Sequence, residues 1–445
     1  MYTDKELEAL ARAAAELASG LPVDPDRGDA AADEALVQVL LDTARRLHDN
    51  FPYHHPLYAG QMLKPPHPVA RLAWALAMTV NPNNHALDGG RASSAMEREA
   101  VARLAAMFGW QTHLGHLTGG GTMANLEALW IARELHPERG VAASALAHYT
   151  HRRLAGVLRM PFREVEADAC GRLDPAALEA AAADGRIGTV VATLGTTGTG
   201  STDPLPDILD VAARHGLRVH VDAAYGGYFR LLDTVSAEAA RAFAVVDRAD
   251  SIVIDPHKHG LQPYGCGCIL FRDPSVAVHY RHDSAYTYFT SDDPHLGEIS
   301  LECSRAGAAA VALWATQRLL PPAPGGEFAA DLARCRRAAV ALHGALADDP
   351  AFLTLMPPDL DIVVWAPAGT TAGEISRASR RCFHRAAERG LHLALMEVSA
   401  ALAAPWWPGV RFDEASVTVL RSVLMKPEHE RALPGILKTL RAAAA

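Results

Sequence analysis

Residues 251–260 have the sequence Ser-Ile-Val-Ile-Asp-Pro-His-Lys-His-Gly, an apolar strand that runs into a turn carrying Lys258. Upstream, residues 220–227 read His-Val-Asp-Ala-Ala-Tyr-Gly-Gly and place Asp222 at the end of a second apolar strand. Most lysines are surface charges, and a lone aspartate at a strand end is usually a turn or capping residue. A lysine that directly follows a buried strand must lose its charge or form a Schiff base, so Lys258 indicates a functional site.

Short apolar strands and helical segments alternate along most of the chain, which predicts an α/β fold with a mostly parallel sheet and helices on both faces. The predicted strands are residues 141–146, 188–194, 217–221, 251–254 and 266–271. After a Pro/Gly break at 321–326, long helices surround strands near 361–365 and 416–424, which is typical of a smaller C-terminal α+β domain. We expect a helical arm over residues 1–55, a large domain over 56–320 and a small domain over 321–445.

The bulk composition fits a large soluble enzyme. With 445 residues, 49% hydrophobic and 21% charged, the chain can bury a sizeable core, and its formal net charge of -9 favours no nucleic-acid partner. The acidic, helical N-terminus is not a signal peptide, and no apolar run is long enough for a membrane span. Six scattered cysteines are typical of reduced thiols in a cytoplasmic protein, and no metal-ligand spacing is present.

Lys258 and Asp222 are the two fixed points that an enzyme needs to hold pyridoxal phosphate (PLP). The lysine can form a Schiff base with the cofactor aldehyde, and the aspartate can keep the pyridine nitrogen protonated, so that the ring becomes an electron sink. Residues 119–125, Gly-Gly-Gly-Thr-Met-Ala-Asn, are a glycine-rich turn entering a helix, where backbone N–H groups favour a phosphate. An ordinary glycine cap is at least as good an interpretation, because the spacing matches neither a P-loop nor G-x-G-x-x-G.

Two further segments indicate a cofactor site only when they are considered together with Lys258 and Asp222. Residues 194–203 form a Gly/Thr-rich turn after a predicted strand, where parallel sheets bind ligands, although a surface loop is an equally good interpretation. His148 is either a satisfied core histidine or a ring that stacks on a cofactor. The order along the chain is then phosphate turn, histidine, threonine turn, aspartate and lysine.

This order, with Ser251-Ile252, Lys258-His259-Gly260, Tyr264, Cys266, Ile269 and Arg272, resembles the group II PLP-dependent amino-acid decarboxylases. That family includes the aromatic-amino-acid, glutamate and histidine decarboxylases, and the resemblance extends from about His55 to Pro427. It implies the type I PLP fold, which is aspartate-aminotransferase-like, and a homodimer with active sites at the subunit interface.

The resemblance also implies a role for each matching position. Lys258 matches the Schiff-base lysine, Asp222 the partner of the pyridine nitrogen, and His148 the histidine that stacks on the ring and orients the carboxylate to be lost. The remaining positions implied to lie around the cofactor are Gly121 and Thr122 at the phosphate, Ala224 beneath the ring, Thr197 and Asp203 in a second layer, and His257 before the lysine. Asp255 stands where some members carry an asparagine that contacts the phosphate, and a second acid near a dianion is unexpected.

The implied reaction is decarboxylation of an L-amino acid to the amine and CO2. In the family, a tyrosine on a loop after the lysine returns a proton to Cα, and Tyr286 and Tyr288 are the two candidates here. They could equally be ordinary loop aromatics, and if neither serves, the carbanion could react with oxygen to give an aldehyde. The sequence also leaves open an aminotransferase or β-lyase on the same fold, and a non-catalytic relative, which the intact Lys258 and Asp222 disfavour.

The substrate pocket of the family is built from the N-terminal segment. Here that segment is polar, so we expect a polar or carboxylate-bearing substrate rather than a purely aromatic one. The candidate substrate residues are Tyr58, Asn83, His85 and Arg91. Arg91 could clamp a second carboxylate with two hydrogen bonds, although a surface arginine in a glycine turn is the more common case.

Overall fold

The structure is a computed structural model of the 445-residue chain, and it describes residues 2–21, 34–281 and 296–445. Tyr286 and Tyr288, the two candidate proton donors, lie outside the described residues. No helix in the described parts combines the length and the apolar character needed to cross a membrane.

In the part of the chain that the structure describes, four helices precede the first strand: α1 Asp4–Ser19, α2 Glu34–Leu47, α3 Pro68–Val80 and α4 Leu87–Met107. A capping box starts α1, because the Thr3 side chain accepts from the Glu6 backbone while the Glu6 carboxylate accepts from the Thr3 backbone. Neither α1 nor α2 has a buried residue. These two helices therefore gain little from packing within one chain.

A seven-stranded sheet forms the centre of the large unit. Its strands are β1 Leu114–Thr118, β2 Gly140–Ser144, β3 Phe162–Val165, β4 Ile187–Thr193, β5 Arg218–Asp222, β6 Ser251–Ile254 and β7 Gly267–Phe271. They lie in the order β1-β7-β6-β5-β4-β2-β3; β7 runs antiparallel to both of its neighbours, and the other pairs are parallel. Every residue of β4 and β6 is buried, as expected for parallel strands covered on both faces.

Helices cover both faces of this sheet. They are α5 Gly121–Leu135, α6 Thr150–Val157, α7 Pro175–Ala182, α8 Leu205–His215, α9 Ala237–Ala244 and α10 Gly307–Leu319. Proline within the first turn pre-forms the start of α7 and α8, and α8 ends at Gly216, which has a left-handed φ of 60°. Short 3-10 helices occupy Gly227–Leu231, Val246–Arg248, Pro274–His279 and Leu296–Glu298.

The C-terminal unit contains a four-stranded antiparallel sheet in the order β10-β11-β9-β8. Its elements are α11 Glu327–Ala347, β8 Phe352–Thr354, β9 Ile362–Pro367, α12 Ala372–Glu388, β10 Ala394–Ser399, α13 Ala400–Ala403, β11 Ser416–Val423 and α14 Glu428–Ala444. Trp365 on β9 is fully buried in its core. The predicted α/β class, with a mostly parallel sheet and a C-terminal α+β unit, is confirmed.

Two buried carboxylates join the C-terminal unit to the large unit. Asp359 accepts two hydrogen bonds from the Arg172 guanidinium and further bonds from Thr202 N and Ser236 Oγ. Asp361 accepts from the Tyr225 hydroxyl at 2.7 Å and lies 3.2 Å from His259 Nε2. Because His259 directly follows Lys258, the second junction fixes the turn that carries the lysine.

Candidate active site

A cavity of about 530 Å³ opens at the carboxyl ends of the parallel strands β4, β5 and β6. The structure brings eight residues that the sequence predicts around a cofactor into its wall. They are Gly121, Thr122, His148, Thr197, Asp222, Ala224, His257 and Lys258. These residues come from segments that are far apart in sequence, so the fold alone assembles them.

Lys258 enters the cavity from the turn after β6. Its backbone N–H donates to Asp255 O at 2.9 Å, which closes the turn, and its Nζ lies 3.0 Å from Asp255 Oδ2. The side chain is 21% exposed and the neighbouring Asp255 side chain is 3% exposed. The amine is thus open to the cavity on one side and held by a buried carboxylate on the other.

Asp222 lies at the end of β5 and is almost fully enclosed by donors. Its Oδ2 accepts from His151 Nε2 at 2.8 Å and from Asn125 Nδ2 at 3.4 Å, and its Oδ1 accepts from Ala224 N at 3.1 Å. Burial alone would raise the pKa of Asp222, but the hydrogen bond and charge of His151, with the Lys258 ammonium, hold that pKa below its ordinary value. The carboxylate is therefore ionised at neutral pH.

A buried histidine network behind Asp222 was not predicted. His151 on α6 and His220 on β5 are both at most 1% exposed, and Asn125 of α5 lies between His220 and Asp222. His220 Nε2 donates to Asn125 Oδ1 at 2.8 Å, and burial lowers the pKa of His220 to about 3, so this ring is neutral. One sequence feature could have predicted that His220 lies near Asp222: the two residues are two positions apart and therefore share one face of a strand.

His148 precedes α6 and is half-buried in the cavity wall. Its Nδ1 lies 2.6 Å from Thr150 Oγ1 and accepts from Thr150 N at 3.3 Å, which places the ring proton on Nε2. Burial lowers the pKa of His148, and Asp222 opposes that shift only in part. The histidine is a neutral, oriented ring beside Asp222.

The glycine turn 119–121 starts α5, and no side chain caps this helix end. Gly120 has a φ of 148°, a conformation that favours glycine. A Cβ at Gly121 would lie only 2.6 Å from Asp255 Oδ2. The glycines thus leave the first backbone N–H groups of α5 facing the cavity, as an anion site requires.

These residues fit pyridoxal phosphate. An open helix start can hold the phosphate, an ionised carboxylate at the end of β5 can pair with a pyridinium, and an accessible amine can bond the aldehyde carbon. Asp203, predicted in a second layer, is fully buried and accepts from Thr193 N and Leu173 N. Burial raises the pKa of Asp203 to about 7, and its hydrogen bonds fix Thr193, which pairs with Asp222 in the sheet.

The predicted substrate residues lie elsewhere. Tyr58, Asn83, His85 and Arg91 do not line the cavity of this chain. Asn83 Oδ1 accepts from the backbone of His85 and Arg305, so that this amide organises a turn instead. Arg91 is exposed on α4. Other residues line the cavity within one chain, and a role of these four residues in binding the substrate stays a prediction.

One arginine of the C-terminal unit contacts the cavity wall. Arg421 of β11 is 7% exposed, and its Nη1 donates to Thr197 O at 2.7 Å while Nη2 donates to Gln61 Oε1 at 2.9 Å. Burial lowers the pKa of Arg421 below its ordinary value. Arg421 joins the C-terminal sheet to the threonine turn at the edge of the cavity.

Comparison with known proteins agrees with this geometry. A family model described as the pyridoxal-dependent decarboxylase conserved domain matches residues 30–365. The chain is 35% identical over 259 residues to "Probable L-aspartate decarboxylase" of Halobacterium salinarum, which covers 57% of this chain and 70% of that protein. It is 30% identical over 285 residues to "Cysteine sulfinic acid decarboxylase" of Rattus norvegicus, covering 58% and 57% of the two chains.

Solved structures show the same fold over the whole chain. The crystal structure of mouse CSAD superposes with a TM-score of 0.81 at 21% identity, covering 100% of this chain and 99% of the other. The crystal structure of Oryza sativa TDC with PLP and tryptamine gives a TM-score of 0.79 at 20% identity, with the same coverage. These likenesses confirm the predicted fold class.

Proposed function

The chain belongs to the pyridoxal-dependent decarboxylase family and is a carboxy-lyase that decarboxylates an amino acid with PLP as its cofactor, and from this premise we propose the roles of its residues. Lys258 bonds the cofactor, Asp222 pairs with its ring nitrogen, and the start of α5 with Thr122 holds its phosphate. His148 covers the ring and orients the carboxylate that is lost. The observation that carries this proposal is the convergence of Lys258, Asp222 and His148 on one cavity.

When bound, the cofactor supplies an aldehyde for amines and a protonated ring that withdraws electrons from the breaking bond. The chain provides the conditions for this chemistry. Asp222 keeps a proton on the ring nitrogen because its own charge is stabilised by three donors. His148 Nε2–H is available to a substrate carboxylate, since its Nδ1 is committed to Thr150.

The reaction is tested with purified enzyme and a panel of amino acids under air and under nitrogen. CO2, amine, aldehyde and ammonia are measured, and we expect CO2 and the amine in equal amounts under both gases. Aldehyde and ammonia formed only under air would replace the amine as the product. If Lys258→Ala still released CO2 at the wild-type rate, the proposed role of Lys258 would be wrong.

We propose that the substrate is an L-amino acid with a short acidic side chain. The curated relatives named above act on aspartate and cysteine sulfinic acid by their names. In the described cavity wall the aromatic rings are His148, Tyr225 and His257. L-Aspartate and L-cysteine sulfinate should be turned over faster than L-tyrosine or L-tryptophan, and the reverse order of kcat/KM would contradict this proposal.

We also propose that the enzyme is a cytoplasmic homodimer. Helix α2 exposes Leu36, Val39, Leu40, Leu41 and Leu47, each between 47% and 61% exposed. A second copy that covers this face would remove the apolar surface from water. Light scattering after size exclusion should give the dimer mass, and Leu40→Glu should lower it. All six cysteines are free, which fits a reducing compartment.

A further inference from the structure

Asp255 is a buried carboxylate that the proposed chemistry does not use. It directly follows β6, is 2% exposed, and lies three residues before Lys258. Its Oδ2 is 3.0 Å from Lys258 Nζ and 3.5 Å from His257 Nε2. No hydrogen bond to its buried Oδ1 comes from the described residues. Burying a carboxylate with only one oxygen paired costs free energy, so the group that pairs with Oδ2 is important for keeping Asp255 buried.

The same carboxylate lies against the first turn of α5. A Cβ at Gly121 would meet Asp255 Oδ2 at 2.6 Å and Oδ1 at 3.0 Å. Glycine is therefore required at position 121 by Asp255 itself, whether or not a phosphate approaches. The negative charge of Asp255 lies beside the helix start that is proposed to hold the phosphate. The carboxylate and a phosphate bound there would repel each other.

Lys258 is the group that balances this charge. The described cavity wall contains no arginine, and its lysine is Lys258. His257 is neutral there, because burial lowers its pKa and Asp255 opposes that shift only in part. Its Nδ1 accepts from Cys266 N at 3.3 Å, so its Nε2 carries the proton towards Asp255. Among the described residues of the cavity wall, the full positive charge beside Asp255 is therefore the Lys258 ammonium.

We propose that Asp255 is the counter-ion and positioning residue of Lys258 whenever the lysine nitrogen is not bonded to the cofactor, and that its charge weakens phosphate binding in return. This inference rests on the proposed role of Lys258. When a substrate ammonium replaces Lys258, the C=N bond to Nζ breaks as the C=N bond to the substrate nitrogen forms. One ammonium is consumed and one is produced on Lys258, so the proton count is unchanged. Asp255 stabilises the ammonium that is produced.

The charge is tested on the full chain freed of cofactor, with pyridoxine 5′-phosphate as the probe. This compound has no aldehyde and cannot bond Lys258, so calorimetry reports its non-covalent binding. Asp255→Asn keeps the shape but removes the charge, and it should bind the probe about tenfold more tightly than wild type. Asp233→Asn, an exposed aspartate outside the cavity, is the matched control and should leave the affinity unchanged.

The positioning role is tested by the rate at which Lys258 bonds added PLP, followed by absorbance. Asp255→Ala should slow this capture about tenfold because Nζ loses the acceptor that positions it. Asp255→Asn should capture PLP at least as fast as wild type, because its amide oxygen still accepts from Nζ and, without the counter-ion, more of the amine is neutral and able to attack the aldehyde. Opposite changes in affinity and capture rate for Asp255→Ala would not arise from a purely structural role, which lowers both.

Two results would overturn the inference. Unchanged probe affinity in Asp255→Asn would show that Asp255 carries no charge beside the phosphate. Capture by Asp255→Ala at the wild-type rate would show that it does not position Lys258. If the wild-type chain bound neither PLP nor pyridoxine 5′-phosphate, the proposed roles of the site residues would fail instead, so the two failures are distinguishable.

Discussion

The neighbouring ends of β5 and β6 each carry a buried aspartate, and the two are held in different ways. Asp222 accepts from His151, Asn125 and Ala224, all fixed parts of the fold. Asp255 has the flexible amine of Lys258 for its Oδ2, while its Oδ1 receives no hydrogen bond from the described residues. A carboxylate held by fixed donors suits a permanent partner such as a ring nitrogen. One held by a flexible amine suits a partner that leaves and returns.

The largest difference between the two aspartates should appear when the charge of each is removed in turn. Asp222→Asn should lower kcat by about 10³-fold, because the ring nitrogen would lose the anion that keeps it protonated. Asp255→Asn should lower kcat by about tenfold at most, since the amide still accepts from Lys258. CO2 release with saturating PLP measures both. Equal losses in the two variants would mean that the strand ends do not differ in function.

The donor set of Asp222 can be weakened without touching the carboxylate. His151→Leu leaves the buried Oδ2 with the longer bond from Asn125, so its charge is less stabilised. We expect kcat to fall by about 10- to 100-fold and the free energy of unfolding of the cofactor-free chain to fall by about 2 kcal/mol.

The spectrum of the bound cofactor separates this effect from simple loss of folding. Protonation of the ring nitrogen should weaken in His151→Leu, and the absorbance of bound PLP should shift with it. His151→Asn, which can still donate a hydrogen bond, should recover part of both losses. A variant with wild-type absorbance and reduced stability would reduce His151 to a packing residue.

Some residues of the site could be predicted from the sequence, and others could not. Asp222 and Lys258 stand out because Asp222 ends an apolar strand and Lys258 lies on the turn after another, and parallel strand ends converge at one edge of a sheet. His151 and Asn125 carry no such local signal, since they reach Asp222 only through the packing of α5 and α6. Strand β1 was missed because His116 interrupts its apolar pattern, and this buried ring lies 2.8 Å from Glu127 Oε2.

The positions of the candidate substrate residues also depend on contacts that are distant in sequence. Asn83 and His85 are polar and precede the site in the chain, but hydrogen bonds to residues 303–305 place them in a separate turn. No local pattern could reveal these contacts, because the partners are more than 200 positions apart. The edge strand β10, with its alternating exposure, was missed because half of its residues face outward.

The pH dependence of stability tests how far the β5 end relies on burial. Burial lowers the pKa of His220 to about 3 in the folded chain, from an ordinary 6.5. As the pH falls, His220 is therefore protonated in the unfolded chain before it is protonated in the folded chain. Its contribution to the free energy of unfolding is complete above pH 6.5 and is lost as the pH falls towards 3. Between pH 7 and pH 5, wild type should lose about 2 kcal/mol more free energy of unfolding than His220→Gln.

Urea unfolding at the two pH values measures this difference. His54→Gln, which removes an exposed histidine, is the matched control and should follow wild type. If wild type, His54→Gln and His220→Gln lost the same free energy of unfolding, burial of His220 would not contribute to acid sensitivity.

The smallest expected effect concerns Glu302, which lies, like Asp255, beside the phosphate turn. Glu302 Oε2 accepts from Gly119 N at 2.8 Å, but Glu302 is partly exposed whereas Asp255 is buried. Water and salt screen an exposed charge, so Glu302→Gln should tighten pyridoxine 5′-phosphate binding only about twofold. This gain should vanish at high salt, whereas the gain in Asp255→Asn should largely persist, because a buried charge is screened less. Calorimetry at low and high salt compares the two variants directly. A larger and salt-resistant gain in Glu302→Gln would mean that Glu302, rather than Asp255, is the acid that opposes the phosphate.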